Sequence, residues 1–144
     1  MSLIQTKQYD TLMNRLLAKK GVQALVNIGY QIRKRLYVPP RIWIVGTCGA
    51  NTAGQTWIYE DGQSDIEISS WILVDEEETI RVVKHEFAHT IKEYAYLEGK
   101  PHGKGFTKAL KAVSSQQWRR DRYWHTNRDI DRARIQIHPK VRNK

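Results

Sequence analysis

The alternation of apolar and polar positions divides the chain into helices, then short strands, then helices again. Residues 3–19 and 22–36 read as helical. In the second of these, Val22, Leu25, Val26, Gly29, Ile32 and Leu36 form one face, Arg33, Lys34 and Arg35 lie near the end, and Pro39-Pro40 stops the run. Arg41 to Thr47 reads as a strand that is apolar on both faces, and residues 48–54 read as a loop. Thr56 to Glu60 and Ser64 to Ser69 flank Asp61-Gly62, which predicts a hairpin. Ile66 and Ile68 alternate with Asp65, Glu67 and Ser69, the pattern of a half-buried strand. Asp75, with Glu78 three residues on, predicts a helix start closed by a capping box. Ile80, Val83, Phe87, Ile91 and Tyr94 then recur at helical spacing, up to a break at Gly99 and Pro101. Phe106, Ala109, Leu110 and Val113 predict the inner face of a shorter helix, with Lys104, Lys108 and Lys111 outside. Ile135 and Ile137, beside Arg134 and Gln136, allow a short final strand. The order predicts an α+β fold: N-terminal helices, a small antiparallel-containing sheet, one long helix and a basic C-terminal region.

A chain of 144 residues is most simply one domain able to bury its own core. No run of about 18 apolar residues is present to span a membrane. The N-terminus lacks the apolar core of a secretory signal, and the single Cys48 forms no intrachain disulfide. The expected setting is intracellular, cytoplasmic or nucleic-acid-associated, and not secreted. Charge is uneven: residues 1–98 hold 11 Lys/Arg against 12 Asp/Glu, whereas residues 99–144 hold 13 against 3. A basic segment on a near-neutral body is an electrostatic footprint for a polyanion, nucleic acid by default. A solvated basic tail without a partner is the alternative.

The candidate chemistry sits in Lys84-His85-Glu86-Phe87-Ala88-His89 and Pro101-His102-Gly103. Histidines four apart share a helix face, and a third past a Gly/Pro break can fold back onto it. Three neutral imidazoles suit a zinc ion (Zn2+) and leave its fourth position open to water. Glu86 adjoins the first ligand, where a general base is needed. A structural zinc site is the alternative; such sites are usually closed by four protein ligands, mostly Cys, and the single Cys48 offers no such set. The expectation is a zinc hydrolase with metal ligands His85, His89 and His102 and catalytic residue Glu86.

The chain resembles the SprT-like zinc metallopeptidase family, which includes the Spartan proteases. The resemblance runs from about Ile42 to Val113 and rests on Thr52-Ala53-Gly54 with Trp57, Ile66-Glu67-Ile68-Ser69, His85-Glu86-Phe87-Ala88-His89, and Pro101-His102-Gly103-Lys104 with Phe106. Twelve residues separate His89 from His102, as in SprT-like spacing. The resemblance implies a minimal zincin-like core over residues 1–113, His85, His89 and His102 as zinc ligands, and Glu86 as general base. It also implies action on proteins crosslinked to DNA, switched on by DNA. The family's C-terminal zinc ribbon is missing, since no Cys follows position 48. Residues 114–144 take its place as a basic, aromatic-rich extension that either packs on the same domain or stands apart.

In that extension Trp118, Arg119, Arg120, Arg122, Tyr123 and Trp124 interleave rings with guanidinium groups, and Arg132 and Arg134 extend the charge. Base stacking on rings and bidentate phosphate contacts suit single-stranded or junction DNA. The competing reading has Trp118 and Trp124 cap the core. The strand at Ile66–Ser69 is expected to pair with an extended substrate peptide. Asp65, Glu67 and Tyr94 are expected to support the histidines as hydrogen-bond partners. The leading expectation is a DNA-associated zinc peptidase acting on a DNA-bound protein substrate. The alternatives are a nucleic-acid-binding or adaptor protein with a silent core, and a basic protein that binds an acidic protein partner.

Overall fold

The computed structural model describes residues 2–3, 7–46, 48, 52–114 and 135–137. Strand β1 (Ser2–Leu3) precedes helices α1 (Lys7–Ala18) and α2 (Lys20–Arg33); strands β2 (Arg41–Val45), β3 (Gly54–Ile58) and β4 (Ser64–Ser69) follow. A 3-10 turn at Ser70–Val74 leads into α3 (Glu76–Tyr94), then α4 (Lys104–Ser114) and strand β5 (Ile135–Ile137). The fold is α+β, as expected for a minimal zincin-like core.

The sheet order is β1-β2-β4-β3-β5. β4 runs parallel to β2 and antiparallel to β3, so both of its backbone edges are used. β1 pairs antiparallel with β2, and β5 pairs parallel with β3. The expected final strand at Ile135–Ile137 is present.

The β3–β4 hairpin turns through residues 59–63. Gly62 takes φ +90°, which favours glycine, and the Asp61 carboxylate accepts the Gln63 N–H. β3 therefore ends at Ile58, two residues before the expected limit, and begins at Gly54, inside the expected loop. α2 is also shorter than its apolar pattern. Lys34 adopts φ 58° and its N–H bonds to the Tyr30 carbonyl, so the helix closes before Leu36, which is 76% exposed. Val22, Leu25 and Gly29 are its buried stripe, and Ile32 faces outward.

α3 is the central element. It starts where the Asp75 carboxylate accepts the Glu78 N–H, with Glu76, Glu77 and Glu78 complementing the positive helix end. Only half of the expected capping box forms, because the Glu78 carboxylate pairs with Arg81. One side of α3 packs on the sheet, where Ile66 and Ile68 are fully buried. The other side meets α2 and α4. Two glycines permit this closeness. A Cβ on Gly29 would lie 2.3 Å from the Tyr94 ring, and one on Gly54 would lie 2.6 Å from the Val82 side chain.

Candidate metal centre

His85 and His89 lie one turn apart on α3, both buried. The chain leaves α3 at Ala95 and passes through Tyr96 (φ 60°) and Gly99 (φ 112°) to a turn in which the Gly103 N–H bonds to the Lys100 carbonyl. That turn sets His102 just before α4. The ring centroids of the three histidines then lie 4.8–5.2 Å apart. Phe106, in the first turn of α4, packs against all three at 4.3–5.0 Å. The aromatic residue of the downstream motif is thus an apolar wall behind the imidazoles.

The ligand-capable nitrogens of His85, His89 and His102 all lie within 4.8 Å of one another. His85 Nε2 and His102 Nε2 are 3.2 Å apart. Two nitrogens bound tetrahedrally to zinc at ~2.05 Å are separated by ~3.3 Å, so this pair already spans one edge of such a site. The donor set fits zinc on chemistry as well, since three imidazoles match a borderline metal better than hard cations such as Mg²⁺. The group can hold a metal ion.

Glu86, 0% exposed, presents its carboxylate beside this cluster. Its Oε2 lies 4.0 Å from His85 Nε2. Its Oε1 accepts a 2.7 Å hydrogen bond from Thr56 Oγ1, and the Glu86 carbonyl oxygen lies 3.1 Å from the same hydroxyl. Thr56 is buried on the inner face of β3, so the sheet fixes the carboxylate of the helix. Sequence reasoning missed Thr56, because its partner lies 30 residues away and no local pattern marks the contact. Tyr37 was missed for the same reason. Its hydroxyl lies 2.6 Å from Thr90 Oγ1, and Thr90 in turn donates to the Phe87 carbonyl, which braces α3 between its histidines. Burial pushes the Tyr37 phenol well above the usual tyrosine range.

Three expectations are corrected. Ser64–Ser69 cannot receive a substrate along its edge, because β2 and β3 occupy both sides of it. Asp65 and Glu67 point away from the histidines, on the sheet face opposite Ile66 and Ile68. There Asp65 accepts from Arg41, Trp43 and Tyr59, and Glu67 accepts from Gln55 and Trp57. Tyr94 donates its hydroxyl to the Arg35 carbonyl, so it ties α3 to the end of α2. The expected nucleic-acid contacts Trp118, Arg119, Arg120, Arg122, Tyr123, Trp124, Arg132 and Arg134 lie outside the described residues. No helix among the described residues is long and apolar enough to cross a membrane.

With this geometry in place, comparison with known proteins gives one positive result: the model of the SprT-like family matches residues 9–138. No curated protein and no solved structure matches the chain.

Proposed function

The chain belongs to the SprT-like family, and from that premise we propose that it is a zinc-dependent peptidase associated with DNA, hydrolysing peptide bonds of DNA-bound or DNA-crosslinked proteins. The observation that carries this reading is the juxtaposition of His85, His89 and His102 with a buried Glu86 locked by Thr56. His85, His89 and His102 would hold the zinc. When bound there, zinc supplies a Lewis acid that polarises the scissile carbonyl and lowers the pKa of a water ligand toward ~7. Glu86 accepts the proton of the attacking water and returns it to the leaving amine, a role worth roughly 10²–10⁴ in rate. Thr56 holds Oε1, so Oε2 is the oxygen turned toward the histidines. Phe106 and the buried α3 surface keep bulk water from the imidazoles. The DNA association is supported by the charge asymmetry, with all of the excess positive charge after residue 98.

The test is cleavage of a DNA-binding protein by zinc-loaded enzyme, with and without single-stranded DNA, beside Glu86→Gln. Cleavage that needs DNA and disappears in the variant supports the full reading. Cleavage without DNA that disappears in the variant keeps the peptidase and removes the DNA dependence. Zinc binding with no cleavage under any condition overturns the enzymatic reading in favour of a binding role.

A further inference from the structure

A second feature lies away from the histidines, where α2 and α4 diverge. A cavity of about 610 Å³ opens between them, rimmed by Lys19 and Lys20 at the α1–α2 junction and by Lys108 and Lys111 on α4. Its floor is aliphatic, with Ala24 and Ile28 from α2 and Ala112 from α4. Ile28 is 41% exposed. Gly21 closes one end, since a Cβ there would lie 3.1 Å from Ala112 Cβ.

Four like charges around one apolar trough repel one another. Lys84 of α3 adds a fifth nearby, and burial followed by that neighbour lowers the Lys19 pKa from its ordinary value. Lys20, Lys108 and Lys111 form no ion pair with a carboxylate among the described residues. The first turn of α2 carries no acidic residue to offset them.

We infer that this groove docks an acidic amphipathic segment of a protein partner, its apolar side chains on Ala24, Ile28 and Ala112 and its carboxylates on Lys20, Lys108 and Lys111. The lining selects between anionic partners. Among the described residues no aromatic ring and no arginine lines the trough, and these are the groups that stack bases and grip phosphates bidentately. An aliphatic floor with a point-charge rim matches the helix-in-groove mode, in which anchors at i, i+3, i+4 and i+7 seat in a trough between helices. A formal net charge of +9 works against a second copy.

The inference is independent of peptidase activity, and so is its test. Binding of a labelled peptide with Leu at i, i+3, i+4 and i+7 and Glu between is followed by fluorescence anisotropy on the full chain. A charge-matched peptide with Ser for Leu and a single-stranded oligonucleotide serve as comparators. Lys108→Glu with Lys111→Glu is expected to weaken the Leu/Glu peptide about tenfold or more. Ile28→Ser is expected to weaken it several-fold while leaving the Ser peptide unchanged. The basic C-terminal region is common to all variants, so differences between variants report the groove. Equal binding of Ser and Leu peptides, or oligonucleotide binding that the lysine variant reduces and Ile28→Ser does not, overturns the inference in favour of a phosphate-led patch. Unchanged peptide binding in both variants, or no binding at all, also overturns it. Should charge reversal unfold the chain, Lys108→Gln with Lys111→Gln supplies the same comparison.

Discussion

Each face of the sheet has a buried carboxylate against it, Asp65 from β4 on one and Glu86 from α3 on the other, and the two are treated in opposite ways. On the outer face Asp65, 5% exposed, accepts two hydrogen bonds from Arg41, one from the Trp43 indole and one from the Tyr59 hydroxyl. On the inner face the side chain of Glu86 accepts through Oε1 from the neutral Thr56 hydroxyl, with Oε2 directed at a histidine cluster. A carboxylate surrounded by an arginine and two further donors is committed to holding strands together. A carboxylate positioned by a neutral donor beside three imidazoles keeps an oxygen oriented toward chemistry. Burial alone therefore does not mark the reactive acid; the identity of its hydrogen-bond partners does.

Four measurements can break or sharpen that contrast. The largest effect is expected from Glu86→Gln: a fall in turnover of roughly 10²–10⁴-fold or more, with zinc content and melting temperature retained. Full activity in that variant would sink the general-base role. Asp65→Ala is expected to act on stability instead, costing about 2–4 kcal/mol by leaving Arg41, Trp43 and Tyr59 without their acceptor. Urea unfolding reads the loss, and a change in unfolding free energy below about 1 kcal/mol would show that the outer network is solvated rather than structural. Thr56→Val is expected to lower kcat about tenfold with KM and zinc affinity little changed, whereas Thr56→Ser retains most activity. Equal loss in both variants would point to packing rather than to the hydroxyl.

The smallest effect is a pH dependence. The Tyr59 phenol is pushed up by burial first and then by Asp65, and burial does the same to Tyr37. In both, the native state favours the protonated phenol. Their contribution is complete below the unfolded tyrosine value of about 10 and declines as pH rises above it, because the unfolded chain sheds protons that the native chain keeps. Unfolding free energy is expected to fall between about pH 9.5 and 11, with a shallower slope in Tyr59→Phe. An unchanged slope would remove Tyr59 from the alkaline transition.

What the sequence made legible is what its local spacing encodes. The α3 period, the Asp75 cap and the two histidines one turn apart need only residues within a few positions of each other. The Gly62 turn and the alternation of Ile66 with Glu67 are local in the same sense. The Thr56–Glu86 bond and the central place of β4 are not. Alternation reveals that one face of a strand is buried but is silent on which strands flank it, so Ser64–Ser69 reads equally well as an edge. Ile32 and Leu36 continue the apolar period of α2, yet the left-handed turn at Lys34 ends the helix first. Period alone carries no record of that turn.

The outermost strands have a consequence for solubility. Among the described residues β2, β4 and β3 form the body of the sheet, and β1 (Ser2–Leu3) and β5 (Ile135–Ile137) lie along its two flanks. β5 pairs with Thr56, Trp57 and Ile58, a β-branched and aromatic stretch of the kind that drives intermolecular strand addition. Ile135–Ile137 thus cover an adhesive edge that belongs to the same strand, β3, whose Thr56 positions Glu86.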